Sequence, residues 1–208
     1  GTVGTIELLT ALLQRPLRIG SENRYIMFNS TCVNEILDVL PGGGSSSALP
    51  RRTQSECMVP ASELHKKTGK INNSLLAQTI TLSLNLRLDG ALRSLVLYPD
   101  KPYIVTQASE GCGESAEPVN GTSKYYMLPV NVLRYLAAPG GYEANVQGLL
   151  DLANDALGGE YTGRNPSLSD ISNAVDVINN AFDQCRFLIE FTNEGPENAL
   201  AGISMTYP

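Results

Sequence analysis

Tryptophan is missing from this chain, and histidine occurs once, at His65. Basic residues are scarce: 15 lysines and arginines stand against 21 acidic side chains, a net charge of −6. Each shortage excludes something. A single histidine is too few for most zinc sites, and no CxxC pair makes up for it. The acidic balance lacks the basic footprint of a nucleic-acid binder and opposes anionic membrane surfaces. No apolar run approaches the ~20 residues that span a bilayer. The N-terminal GTVGTIELL lacks the basic and apolar regions of a signal peptide.

What is present describes an ordered globular unit. The chain has 208 residues, 42% of them hydrophobic, enough to bury a sizeable core. We read 1–208 as a single domain and as a fragment of a larger exported protein. Its cysteines, Cys32, Cys57, Cys112 and Cys185, are even in number and widely spaced. In an exported protein such a set means two disulfides. Sequence alone leaves the connectivity open. Chain order and helix faces favour Cys32–Cys57 and Cys112–Cys185. Cys32 lies on the stripe of its predicted helix, and Cys57 ends the loop that follows. Cys185 continues the stripe of a later helix, so its sulfur is expected to point inward, and Cys112 lies in a Gly-rich connection.

Apolar spacing predicts several helices. Thr2–Gln14 places Val3, Ile6, Leu9 and Leu13 on one face, and Pro16 blocks continuation. Thr31–Leu40 carries the stripe Cys32, Val33, Ile36, Leu37 and Leu40, with Ser30 or Thr31 as cap. PGGGSSSALPRRTQSEC then reads as a flexible loop. The clearest pattern is a helix pair over 143–157 and 168–183. Val146, Leu149, Leu150, Ala153, Ala156 and Leu157 match Ile171, Ala174, Val175, Ile178, Ala181 and Phe182 in spacing. Gly158-Gly159 closes the first, and Ser167 with Asp170 forms a capping box for the second. An antiparallel helical hairpin follows from this pattern. Arg186–Thr192 has the composition of a strand, and Gly195–Pro208 reads as irregular.

One stretch supports two structures. Ile80, Leu82, Leu84, Leu86 and Leu88 alternate with polar residues and run into Asp89-Gly90, a preferred hairpin dipeptide. The same segment also reads as a helix capped by Asn72 or Asn73, with Leu76, Ile80, Leu84 and Leu88 four apart and Leu75, Leu82 and Leu86 on another side. A helix that apolar must be buried all round. Asn73, Leu75-Leu76-Ala77-Gln78, Leu84-Asn85 and Asp89-Gly90-Ala91, followed by LLDLANDAL (149–157) and SLSDISNAVDVINNAF (167–182), resemble a Leu/Ala/Asn-rich helical module of large exported bacterial surface proteins. The resemblance implies a buried central helix over Ile71–Asn85 and carries no catalytic residue with it. The expected fold class is therefore mainly α, a helical domain with long irregular loops. The alternative is α+β with a hairpin at 79–97.

No motif carries chemistry. His65 sits among charged neighbours, as a solvated histidine does. Cys112 in Glu110-Gly111-Cys112-Gly113-Glu114-Ser115 lacks the Gly-x-nucleophile-x-Gly spacing of a nucleophile elbow. Asp151, Asp155, Asp170, Asp176 and Asp183, with Asn145, Asn154, Asn173, Asn179 and Asn180, bring calcium to mind. They fall on polar helix faces, and the loop 158–166 does not match a calcium-loop pattern. No catalytic, cofactor-binding or metal-ligating residue is therefore assigned, and no cofactor is expected. The nine tyrosines suit contact with a protein or glycan partner. The expected function is a non-enzymatic structural or interaction module, extracellular or at the cell surface. The alternative is a secreted hydrolase or glycan-binding domain whose carboxylates converge only in the fold.

Overall fold

The computed structural model describes residues 4–197. Its centre is α3 (Ser74–Leu88), whose buried residues point to all sides: Leu75, Leu76, Ala77, Thr79, Ile80, Leu82, Ser83, Leu84 and Leu86. An all-round apolar helix is stable only inside a protein. Its buried hydroxyls are satisfied within the helix. Thr79 donates to the Leu75 carbonyl at 2.6 Å, and Ser83 to that of Thr79 at 2.7 Å. The helical reading of this segment therefore holds and the hairpin at 79–97 does not. Asn73 caps the helix through the Leu76 amide, and Asp89 caps the 3-10 turn Gly90–Ser94 by accepting from Ala91.

Around α3 pack α1 (Thr5–Leu12), α5 (Val146–Leu157) and α6 (Leu168–Ala181), and α5 and α6 also pack on each other. Asn179 of α6 donates to the Gln78 carbonyl at 3.1 Å and to its side chain at 2.9 Å, a polar stitch within an otherwise apolar contact. Two short helices complete the set, α2 (Val33–Val39) and α4 (Val130–Ala137). The buried apolar residues from Leu13 to Ala181, Val105 apart, join in one cluster.

The mainly-α expectation is wrong. The fold is α+β, with two three-stranded sheets. In the first, β1 (Leu17–Gly20) pairs antiparallel with β2 (Tyr25–Phe28), and β3 (Gln54–Glu56) lies parallel to β2. In the second, β4 (Tyr103–Gln107) is central between antiparallel neighbours β5 (Lys124–Met127) and β6 (Phe187–Thr192). β1 packs on α5 and α3, and β4 and β5 on α6. β6 meets the strand expected at Arg186–Thr192; the other strands are three to five residues long, too short for a two-residue period to stand out from surrounding loop.

Three further expectations change. The stripe of the first helix is not a core face: Ile6 is 56% exposed, and Leu13, just past the helix, carries the burial. Val3 lies outside the described residues, as does 198–208. The 41–57 loop is pinned rather than free. Leu49 is buried and its amide donates to the Leu157 carbonyl at 2.8 Å, while Gly43 pairs with Asn72. Asn29, not Ser30 or Thr31, caps the turn into α2, accepting from the Thr31 amide.

Both expected disulfides are present. Cys32–Cys57 spans 5.0 Å between Cα atoms and 25 residues of chain. Cys112–Cys185 spans 5.4 Å and 73 residues. Cys32 is fully buried. Cys185 is not on the α6 stripe, because that helix ends at Ala181, and both Cys112 and Cys185 are exposed.

Candidate functional site

Where the β1–β2 turn meets the end of α5, a polar cleft opens. It encloses about 500 Å³ and is lined by Arg18, Ser21, Asn23, Asp151, Asp155 and Glu160, among others. The walls come from opposite parts of the chain, joined where a backbone amide at the start of the turn is satisfied by α5. The Gly20 amide donates to Asn154 Oδ1 at 2.9 Å. Ser21 Oγ packs so tightly on Gly158 that a Cβ there would fall 2.2 Å from it. Glu160 accepts from Asn23 Nδ2 at 3.0 Å, which draws its carboxylate towards the turn. Asp151 accepts from Gln147 Nε2 at 2.8 Å.

Beside this cleft three tyrosines meet. The Tyr135 ring lies edge-on to Tyr161 with centroids 5.5 Å apart, and 6.1 Å from Tyr142. Tyr161 is buried and donates its hydroxyl to the Pro166 carbonyl. Tyr142 donates to Asp155 Oδ2 at 2.5 Å. That bond joins the aromatic cluster to the cleft wall. Burial, and then the Asp155 carboxylate, push the Tyr142 phenol well above its ordinary range. It stays a donor, so Asp155 stays a committed acceptor. Tyr135 is 36% exposed.

No family model, no curated protein and no solved structure matches this chain.

The residues singled out in the sequence scatter. His65 is exposed in a turn, facing Thr68 Oγ1 at 3.4 Å, far in chain and contacts from the cleft. Cys112 is bonded to Cys185 and so is no nucleophile. Of the acidic and amide set, only Asp151, Asn154 and Asp155 reach the cleft. Asn145 caps α5 through the Gly148 amide at 2.8 Å. Asp170 completes the capping box of α6, accepting from the Ser167 amide at 2.9 Å and from Asn131 at 2.8 Å. Those bonds, the Ser167 amide first, hold its carboxyl below the usual carboxylate range. Among the described residues, no group of three His, Cys, Asp or Glu side chains is arranged to hold a metal ion.

Of the tyrosines, Tyr98 and Tyr135 are exposed, Tyr161 is buried, and Tyr25, Tyr103, Tyr125, Tyr126 and Tyr142 are half-buried. Tyr207 lies outside the described residues. Sequence reading missed Arg18, Ser21, Asn23 and Glu160 as site residues. A signal was available: Leu17-Arg18-Ile19 and Tyr25-Ile26-Met27-Phe28 flank a Gly-Ser-Glu-Asn turn, a hairpin pattern. No helix among the described residues is long and apolar enough to cross a membrane.

Proposed function

We propose that this chain is a non-catalytic interaction module of an exported or cell-surface protein, and that it contacts a glycan through Tyr135 and the adjoining polar cleft. The observation that carries the reading is the Tyr142–Asp155 hydrogen bond. It fixes an aromatic cluster against a wall of carboxylate and amide groups. An exposed ring offers a sugar its apolar face, and Asn23, Asp151 and Glu160 offer hydrogen-bond partners to the hydroxyls. Export is supported by the two disulfides, which persist in oxidising compartments. The resemblance of 73–91, 149–157 and 167–182 to helical modules of exported bacterial surface proteins points the same way.

The test is saturation-transfer NMR of the intact protein against a panel of neutral oligosaccharides. Binding is expected for wild type and absent for Tyr135→Ala. No binding to any member of the panel, or equal binding by the variant, overturns the reading. A second reading, a glycan hydrolase, draws on the presence of Asp151, Asp155 and Glu160 in one cleft. It requires turnover of a bound oligosaccharide, lost in Glu160→Gln.

A further inference from the structure

On the other side of Asn23 from the polar cleft lies a surface of opposite sign. Arg24, Arg51 and Arg52, with Asn23 and Gln54, line an open depression of about 680 Å³. A second group of three, Arg15, Arg87 and Arg93, lines another depression, but there Arg87 donates to the Leu12 and Pro16 carbonyls and Arg93 to Gln147.

The depression is built on fixed backbone. Pro50–Thr53 is a tight turn in which the Thr53 amide and hydroxyl both bond to the Pro50 carbonyl, at 3.1 and 2.6 Å. The Thr53 carbonyl accepts from the Tyr25 amide at 2.9 Å, which ties the turn to β2. Arg24 donates to the Leu49 carbonyl at 3.1 Å. Its guanidinium lies flat on Gly159, where a Cβ would fall 2.7 Å from Cζ. Arg52 sits at φ +66°, in the left-handed region where glycine or asparagine is usual at such a turn. Arg51 and Arg52 are exposed, and neither donates a hydrogen bond to a carboxylate or carbonyl among the described residues.

We propose that Arg24, Arg51 and Arg52 form a binding site for a sulfate or phosphate ester group carried on a polysaccharide. The planar guanidinium fork matches the oxygens of such an ester two at a time. The neighbouring cleft, with Glu22, Asp151, Asp155 and Glu160, decides the kind of carrier. A broad anionic surface, whether a bilayer or a duplex, would bring its own charge over those carboxylates. A narrow chain presenting one ester at a time avoids them. The site does not depend on the tyrosine face, so either assignment can fail alone.

The experiment is calorimetric titration of the intact protein with three dextran oligosaccharides of equal length: a sulfated one, a phosphorylated one and a neutral one. Wild type is expected to bind one or both charged chains at least tenfold more tightly than the neutral one, and the two charged arms identify the ester. Arg52→Gly is expected to weaken binding about tenfold or more. Its melting temperature should not fall, because glycine accepts φ +66° without strain. Arg51→Ala, at an exposed position, provides a second variant with the same expected loss. Failure of wild type to bind either charged chain overturns the proposal. So does unchanged binding in both variants, or binding to duplex DNA as tight as to the charged oligosaccharides.

Discussion

The two disulfides hold regions of opposite character. Cys32–Cys57 joins the start of α2 to the end of β3, with Cys32 inside the apolar cluster. Cys112–Cys185 lies at the surface and ties the excursion 108–123, between β4 and β5, to the start of β6. Next to it, Arg186 donates to Thr106 Oγ1 at 2.9 Å and to the Thr122 carbonyl at 2.8 Å, so the base of the excursion is clamped twice. The lesson concerns where a cross-link acts. Closure entropy is taken from the unfolded chain and depends on the length enclosed, not on how deep the sulfurs lie. The bond that looks peripheral encloses 73 residues, and the one in the core encloses 25.

The largest expected effect breaks the comparison directly. Replacing Cys112 and Cys185 together by alanine should cost about 4 kcal/mol in denaturant unfolding, the closure value for a loop of this length. A loss under about 1 kcal/mol would show that the excursion stays tethered without it. Next comes the link between core helix and surface loop. Asn73 is fully buried, caps α3 and donates to the Ser47 carbonyl at 2.9 Å and to Glu63 Oε2 at 2.8 Å. Asn73→Ala should cost about 2–3 kcal/mol, from the lost cap and a buried carboxylate left short of a partner. Hydrogen exchange should rise at the Gly43 and Leu49 amides while the centre of α3 stays protected.

The smallest effect is pH-dependent and tests α6. The folded pKa of Asp170 lies below its unfolded value, so its contribution is complete above the unfolded value near ~3.9 and is lost as pH falls through the folded one. Asp170→Asn should lower stability by about 1 kcal/mol at neutral pH. Its stability should also decline less than that of wild type in acid. Parallel acid profiles for the two proteins would show that the carboxylate does not support the helix.

The sequence was legible where one element carries its own signal. The stripes of α5 and α6, the Ser167–Asp170 box and the Asn73 cap each lie within one turn or one helix. The disulfide pairing followed chain order. β6 showed in the sequence as Arg186–Thr192, but β1, β3 and β5 were hidden because they hold three or four residues each, and β3 finds its parallel partner β2 across the 25 residues between Phe28 and Gln54. The polar cleft was invisible for another reason. Gly20 and Asn154 meet through one hydrogen bond across 134 positions, and no local pattern announces such a meeting. Arg51-Arg52 read as part of a pliable loop, since nothing in the sequence indicates that Leu49 is anchored to Leu157.

The 108–123 excursion has a use in the hands of an engineer. A Cβ added at Gly111, Gly113 or Gly121 meets nothing within 4 Å, so those three positions face open space. Its ends are fastened independently of its length, by Arg186 at the base and by the disulfide partway up. Lengthening such a loop is cheap, about 0.6 kcal/mol for each doubling. An epitope or peptide spliced in at Gly113 would be displayed on a stalk whose footing the rest of the fold never registers.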